Sequence, residues 1–155
     1  MPTKFKLVIA DTSCFILLDK IQELELLKNL FDEVITTPEI EREFGKELPE
    51  WIDHVPVKHK EYQASLALTL DEGEASAIAL SAEVGNALLI PDDLPARKLA
   101  DKLDLNFTGT LGIIARARRE GIIPSVKPII EKIRKTNFRF SEEVFHEIIK
   151  AAGEE

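Results

Sequence analysis

Two apolar runs in this 155-residue chain end on an acid: Asp11 closes LVIAD at residues 7–11, and Asp92 follows ALLIP at residues 87–91. An aspartate at the exit of a buried strand projects into the crevice beyond the strand ends, where parallel sheets bind ligands. Both positions also precede helical patterns, so N-capping accounts for the same residue type. Ser13 and Asp93 are alternative caps next door, which would leave Asp11 and Asp92 free for a site. Two helical acids could join them, Glu43 and Glu74. Glu43 shares its segment with Glu39 and Glu41, so a solvated helix face explains it as well. Glu74 stands with Asp71 and Glu72 at a helix start, where the macrodipole tolerates negative charge.

Such a set has definite chemistry. Two carboxylates ~5 Å apart repel by roughly 3 kcal/mol at an effective dielectric near 20. Four in one pocket require a cation or raised pKa values. Oxygen donors without Cys or His companions favour Mg²⁺ or Mn²⁺ over zinc. His54, His59 and His146 all fall outside the acidic motifs. A divalent ion in this setting activates water and neutralises phosphate oxygens, which makes phosphodiester hydrolysis the natural reaction.

The elements that must position these acids alternate between strand and helix. Strands are expected at residues 6–11, 33–36, 54–57, 87–90 and, briefly, 105–107. Helices are expected at 13–18, 23–31, 38–44, 58–70, 72–84, 93–102, 110–120, 125–135 and 141–152. Pro38 suits a first helical turn, and Gly85-Asn86 suits a helix end. Alternation of this kind implies a parallel sheet covered on both faces. The length fits one domain over residues 1–155, with helices at 125–152 packed on it or extending from it.

Composition narrows the setting. The lone cysteine, Cys14, cannot form an internal disulfide, which points to a reducing compartment. No segment approaches the ~20 apolar residues of a membrane helix, so a cytoplasmic protein without a membrane partner is expected. The net charge of −8 argues against nucleic acid, but its distribution argues back. Segment 113–140 carries eight basic residues, among them Arg116, Arg118 and Arg119, against Glu120 and Glu131, a net +6 that leaves −14 elsewhere. A basic face for phosphates and an acidic pocket for cations would divide in this way, as would a solvated helix pair. Arg97 is a further candidate phosphate contact, or an ion-pair partner of Asp93 or Asp101. The apolar stretches 16–18 and 24–30 are explained by core packing or by a groove for a partner.

Five motifs stand in order along the chain: Asp11-Thr12-Ser13; Pro38-Glu39-Ile40-x-x-Glu43-Phe44; Leu70-Asp71-x-Gly73-Glu74-x-x-Ala77-Ile78; Asp92-Asp93-x-x-Ala96-Arg97; and Gly109-Thr110-Leu111-Gly112. In this arrangement, from about Leu7 to the final helices, the chain resembles the PIN-domain superfamily. More narrowly, it is similar to a branch of predicted prokaryotic nucleic-acid-binding proteins related to the VapC toxins. The resemblance implies a three-layer α/β/α sandwich around a five-stranded parallel sheet. It implies a ribonuclease in which Asp11, Glu43, Glu74 and Asp92 bind Mg²⁺ or Mn²⁺ and leave a 5′-phosphate and a 3′-hydroxyl. Thr12, Ser13 and Thr110 would orient water or phosphate, with Arg97 and Arg116 touching the RNA backbone. A cognate antitoxin and a homodimer are implied on the same ground.

The chain departs from the family pattern in one place. Many members carry a further Asp shortly after the fourth acid, where this chain has Thr108-Gly109-Thr110. Asp93 is the neighbouring acid that could substitute as a metal ligand. Glu41 and Glu72 remain rivals of Glu43 and Glu74. A catalytically weak scaffold that binds RNA or protein is the alternative function. A haloacid-dehalogenase-like phosphatase needs a second Asp two residues after the first, and residue 13 is serine. Neither GxGxxG after a strand nor a GK[ST] phosphate loop is present.

Overall fold

The computed structural model describes residues 6–155. Its centre is a parallel sheet of four strands in the order β3-β2-β1-β4. These are β1 (Leu7–Ala10), β2 (Glu33–Thr36), β3 (Ile52–His54) and β4 (Leu88–Ile90). Val8, Ile9, Ala10, Val34, Ile35, Leu88, Leu89 and Ile90 are all buried, as expected of parallel strands covered on both faces. Full burial of each large apolar side chain contributes about 1.5–3 kcal/mol.

Topology creates the crevice. The chain moves outward from β1 through α1 (Thr12–Lys20) and α2 (Glu25–Leu30) to β2, then through α3 (Pro38–Phe44) to β3. It then returns through α4 (Lys60–Leu66) and α5 (Glu72–Val84) to β4 on the other side of β1. Strand order therefore reverses between β1 and β4, and their carboxyl ends open the crevice where such sheets bind ligands. The register pairs Ala10 with Ile90, which brings the two strand exits side by side.

Helix α5 fixes the depth of that crevice. It contacts β1, β4, α3, α4 and α6 (Leu94–Lys102). Most of its inward residues are small: Gly73, Ala75, Ser76, Ala77, Ala79 and Ser81 are buried beside Ile78 and Leu80, which allows several neighbours to approach at once. Thr37 and Ser76 share a buried hydrogen bond of 2.6 Å between α3 and α5. On the C-terminal side, α7 (Thr110–Arg119) packs against α2 and α9 (Glu142–Ala151). Ile129, Ile130 and Ile133 of α8 (Lys127–Arg134) and Phe145 of α9 belong to the same hydrophobic cluster as the strands. These helices are packed on the body.

Three expectations need correction. Strand β3 lies at Ile52–His54 rather than 54–57, because Pro56 has no N–H to continue the ladder. Val57 owes its apolar character to burial in the core instead. The fifth strand is reduced to one parallel bridge, Leu89 with Phe107. Only a few residues separate the left-handed turn at Asp104 from the start of α7, so pairing has no room to extend. Helix α4 is shorter than 58–70, with turns following Leu66. The apolar residues Leu18, Leu26, Leu27 and Leu30 are buried in the chain's own core rather than lining an open groove, while Leu17, also buried, forms part of a cleft wall. Among the described residues no helix is long and apolar enough to cross a membrane.

Candidate active site

Helix α1 begins directly after β1, so the only residue available for its extended cap position is Asp11. One carboxylate oxygen, Oδ1, accepts the Cys14 N–H at 2.9 Å. The other, Oδ2, accepts the Asp92 N–H from the neighbouring strand exit at 3.2 Å. The expectation that Ser13 would cap α1 is therefore overturned, and Asp11 both caps the helix and faces the crevice. Burial, then the negative charge of Asp92 and, more weakly, Asp71, pushes the Asp11 pKa up to about 7 against the two N–H donors. Cys14 behind it is fully buried, and burial raises its thiol well above the usual range, with Asp92 and Asp11 adding to the effect. It is an inert neutral packing group.

Asp92 leaves β4 through buried Pro91. Its Oδ1 accepts the Thr110 N–H at 3.0 Å, and its Oδ2 accepts the Thr110 hydroxyl. Thr110 thus orients Asp92 from the first turn of α7. Asp92 is exposed along its edge, yet protein packs closely around its carboxylate, and that desolvation raises its pKa against the Thr110 bonds and nearby Arg97. Asp93 holds the cap position of α6 without a side-chain cap bond.

Glu43 reaches the crevice because Gly73 has no side chain. Thr12 Oγ1 donates to Glu43 Oε1 at 2.7 Å, and the Gly73 N–H donates to Oε2 at 3.3 Å. A Cβ at residue 73 would stand 2.0 Å from Glu43 Oε1, so glycine makes the cradle for this carboxylate. Glu41 instead pairs with His54 at 2.7 Å, and buried Glu39 accepts from Gln63. Glu74 is half-buried, whereas its rival Glu72 is exposed. Asp71 and Glu74 form a capping box, with the Glu74 N–H 2.8 Å from Asp71 Oδ1. Burial, followed by hydrogen bonding with Asp71 and Asp93, pushes the Glu74 pKa up to about 8.

The acids stand as linked sets: Asp11 with Asp92, Glu43 between Thr12 and Gly73, and Glu74 with Asp71 and Asp93. No group of three or more metal-capable side chains is tight enough to hold an ion as it stands among the described residues. Asp71 is the residue that sequence reasoning undervalued, since its charge acts on both Asp11 and Glu74. Its signal was the Asp71-x-x-Glu74 spacing of a capping box.

A cleft of about 500 Å³ opens beside Asp92 and Asp93 and takes in Ser13, Arg97 and Thr110. Its far wall includes Phe138, Arg139 and Phe140, none of which the sequence marked as site residues. Arg116 does not line it: the guanidinium bonds Glu120 at 2.7 Å and lies over Phe31, 5.5 Å from the ring centroid. Other bases of segment 113–140 are likewise paired, Arg118 with Glu154, Lys132 with Glu23, and Arg134 with Glu131 and Glu142. A larger hollow of about 770 Å³ lies between α4 and α5, but its Glu83 carboxylate caps α4 through the Lys58 and His59 N–H groups.

A protein-family model described as a PIN domain matches residues 7–154. Neither a curated protein nor a solved structure matches the chain.

Proposed function

The chain belongs to the PIN-domain family, a nuclease-type fold, and on that premise we propose that it is a metal-dependent ribonuclease hydrolysing RNA phosphodiester bonds. Asp11, Glu43, Glu74 and Asp92 form its acidic set. The observation that carries this reading is the Asp11–Asp92 pair, held at adjacent strand exits with both pKa values raised. Like charges kept together against their own repulsion constitute a site that a cation stabilises.

The donors suit a hard divalent ion such as Mg²⁺ or Mn²⁺, since the acids at the crevice offer oxygen without Cys or His companions. Asp11 and Asp92 would hold it, with Glu43 and Glu74 on the facing helices and Asp93 at the edge. When bound, such an ion lowers the pKa of water and neutralises the charge of a scissile phosphate. The chain's own residues supply the rest. Thr110 orients Asp92, the Thr12 hydroxyl and Gly73 N–H orient Glu43, and Ser13 lies at the cleft where a phosphate oxygen would enter. Glu74, whose pKa is pushed up to about 8, holds a proton at neutral pH until a bound cation displaces it. Water attack at phosphorus breaks the bond to the leaving 3′-oxygen, which takes up a proton. Arg97, which lines the cleft with Asp92, would meet the RNA backbone there.

Cleavage of RNA by wild type and by Asp11→Asn, with Mn²⁺, Mg²⁺ or chelator, tests the reading. Metal-dependent cleavage lost in Asp11→Asn is expected, and equal activity in the two would remove the assignment. The alternative, an RNA- or protein-binding scaffold, is favoured by one departure from the pattern that the resemblance implies: Thr108-Gly109-Thr110 stands in the region where many family members carry another acid. RNA binding without cleavage under any metal would select it. The proposal extends, from the VapC-like resemblance, to a cytoplasmic toxin with a protein antitoxin and to a homodimer. A solution mass of one chain would count against the homodimer.

A further inference from the structure

Apart from Arg97, the far half of the cleft has no part in the chemistry just described. Phe138 and Phe140 line it together with Leu17, Leu111 and Ile148, and Arg97 and Arg139 stand among them. Residues 136–140 form a strap between α8 and α9 that is fixed from several sides. Thr136 Oγ1 donates to the Ile133 carbonyl at 2.6 Å and accepts the Phe138 N–H at 3.1 Å. Lys20 Nζ donates to Asn137 Oδ1 at 2.8 Å, and Phe140 meets Phe145 edge-on at 5.8 Å. Phe138 is therefore a half-buried ring on a held backbone, with part of its surface open to the cleft.

The two arginines differ from the paired bases of α7 and α8. Arg139 Nη1 donates to the carbonyls of Thr136 and Phe138, which positions the group and leaves its Nε and Nη2 donors without a protein partner among the described residues. Arg97 makes no ion pair among the described residues and lies 5.9 Å from the Phe107 ring centroid. Two available guanidinium groups, an aromatic wall and the acids Asp92 and Asp93 meet in one hollow.

We propose that this half of the cleft is a subsite for one unpaired nucleotide next to the scissile phosphate. Phe138 is the stacking surface for the base, and Arg97 and Arg139 contact the backbone on either side. The inference rests on the ribonuclease reading and adds to it the place where this chain would hold one unpaired base. An apolar peptide would cover the aromatic wall but leave both guanidinium charges unanswered, whereas a nucleotide offers a π-face and an anion together. A volume of about 500 Å³ lies within the roughly 300–1,000 Å³ of pockets that enclose one small ligand. Bases stacked inside a duplex cannot enter it.

The test measures equilibrium binding in chelator, where no cleavage intervenes, using a short single-stranded RNA whose abasic site is walked along the strand. In wild type, one abasic position should weaken binding about tenfold, the scale of a single base–aromatic stack. Phe138→Leu keeps apolar volume and should lose that discrimination, while Phe138→Tyr keeps the ring and should retain it. Arg139→Ala should weaken all probes alike and lower the salt dependence. A wild type indifferent to every abasic position, a Phe138→Leu protein that still discriminates, or equal affinity for duplex each overturns the subsite. Metal-dependent cleavage combined with abasic indifference overturns this inference alone. Abasic discrimination without cleavage under any metal overturns the ribonuclease reading and leaves the subsite standing.

Discussion

The strand-end acids and the basic segment 113–140 are both dense in charge, but they treat it in opposite ways. Half of the eight bases answer their charge internally: Arg116 bonds Glu120, Arg118 meets Glu154, Lys132 reaches Glu23, and Arg134 is held by Glu131 and Glu142. Such pairs have low potential left to offer a ligand. The acids are placed beside one another instead, and burial and repulsion lift Asp11 and Glu74 to pKa values of about 7 and about 8. Charge that the fold has already neutralised is architecture. Charge that the fold has crowded is poised for something that arrives from outside.

The comparison breaks most directly at Asp11. Asp11→Asn should lower metal-dependent cleavage by about a hundredfold or more, the scale of losing a preorganised electrostatic group. Loss of less than tenfold in a single-turnover assay would make the acids architecture as well. Gly73→Ala should come next, since the added methyl displaces only the tip of Glu43 while α5 gains a better helix former. Its cleavage should fall about as far as that of Glu43→Gln, with an unchanged circular dichroism spectrum. Wild-type activity in Gly73→Ala would show that the seat of Glu43 has no bearing on the chemistry.

A third effect is thermodynamic. A carboxyl whose folded pKa is raised is stabilising while protonated, and that contribution is lost as pH rises from the unfolded value towards the folded one. For Asp11 the interval runs from 3.8 to about 7, and full ionisation removes on the order of 4 kcal/mol. For Glu74 it runs from 4.5 to about 8. The melting temperature of the metal-free protein should therefore fall across this interval, and Mn²⁺ should raise it more at pH 8 than at pH 5. A flat profile would mean the crowding costs nothing. The smallest effect belongs to Arg116→Ala, which removes stacking on Phe31 and the bond to Glu120. Stability should fall by roughly 1 kcal/mol, with cleavage within about twofold of wild type; a large loss of cleavage would return Arg116 to the substrate.

Much of this was legible in the chain, and for identifiable reasons. Strands β1, β2 and β4 announce themselves as short apolar runs, and the small residues of α5 fall within the expected helix. Strand β3 misleads because Val55 and Val57 flank Pro56, which ends the ladder that their β-branched character suggests. Asp11 misleads differently, since a neighbouring serine promised to cap α1 but lay inside the helix. Asp11 and Asp92 could be singled out by their place at strand exits, whereas Glu43 and Glu74 stood out from neighbouring acids only through the order of the motifs, because nothing in one segment reports what another brings near it. Gly73 was visible as part of a motif, but its purpose lies in a contact with Glu43, thirty residues away. The pairing of Lys132 with Glu23 spans 109 residues, which is why local charge counting overstated the basic face.

Asp11 has one further consequence. Its two oxygens are each engaged by a main-chain donor, Cys14 on one side and Asp92 on the other. The plane of the carboxylate is thereby set before any ligand enters, and the starts of two segments far apart in the chain are stitched to a single side chain. Glutamate would preserve the charge and lose both stitches, because its extra methylene carries the oxygens past their donors. At this position reach is as strict a requirement as sign.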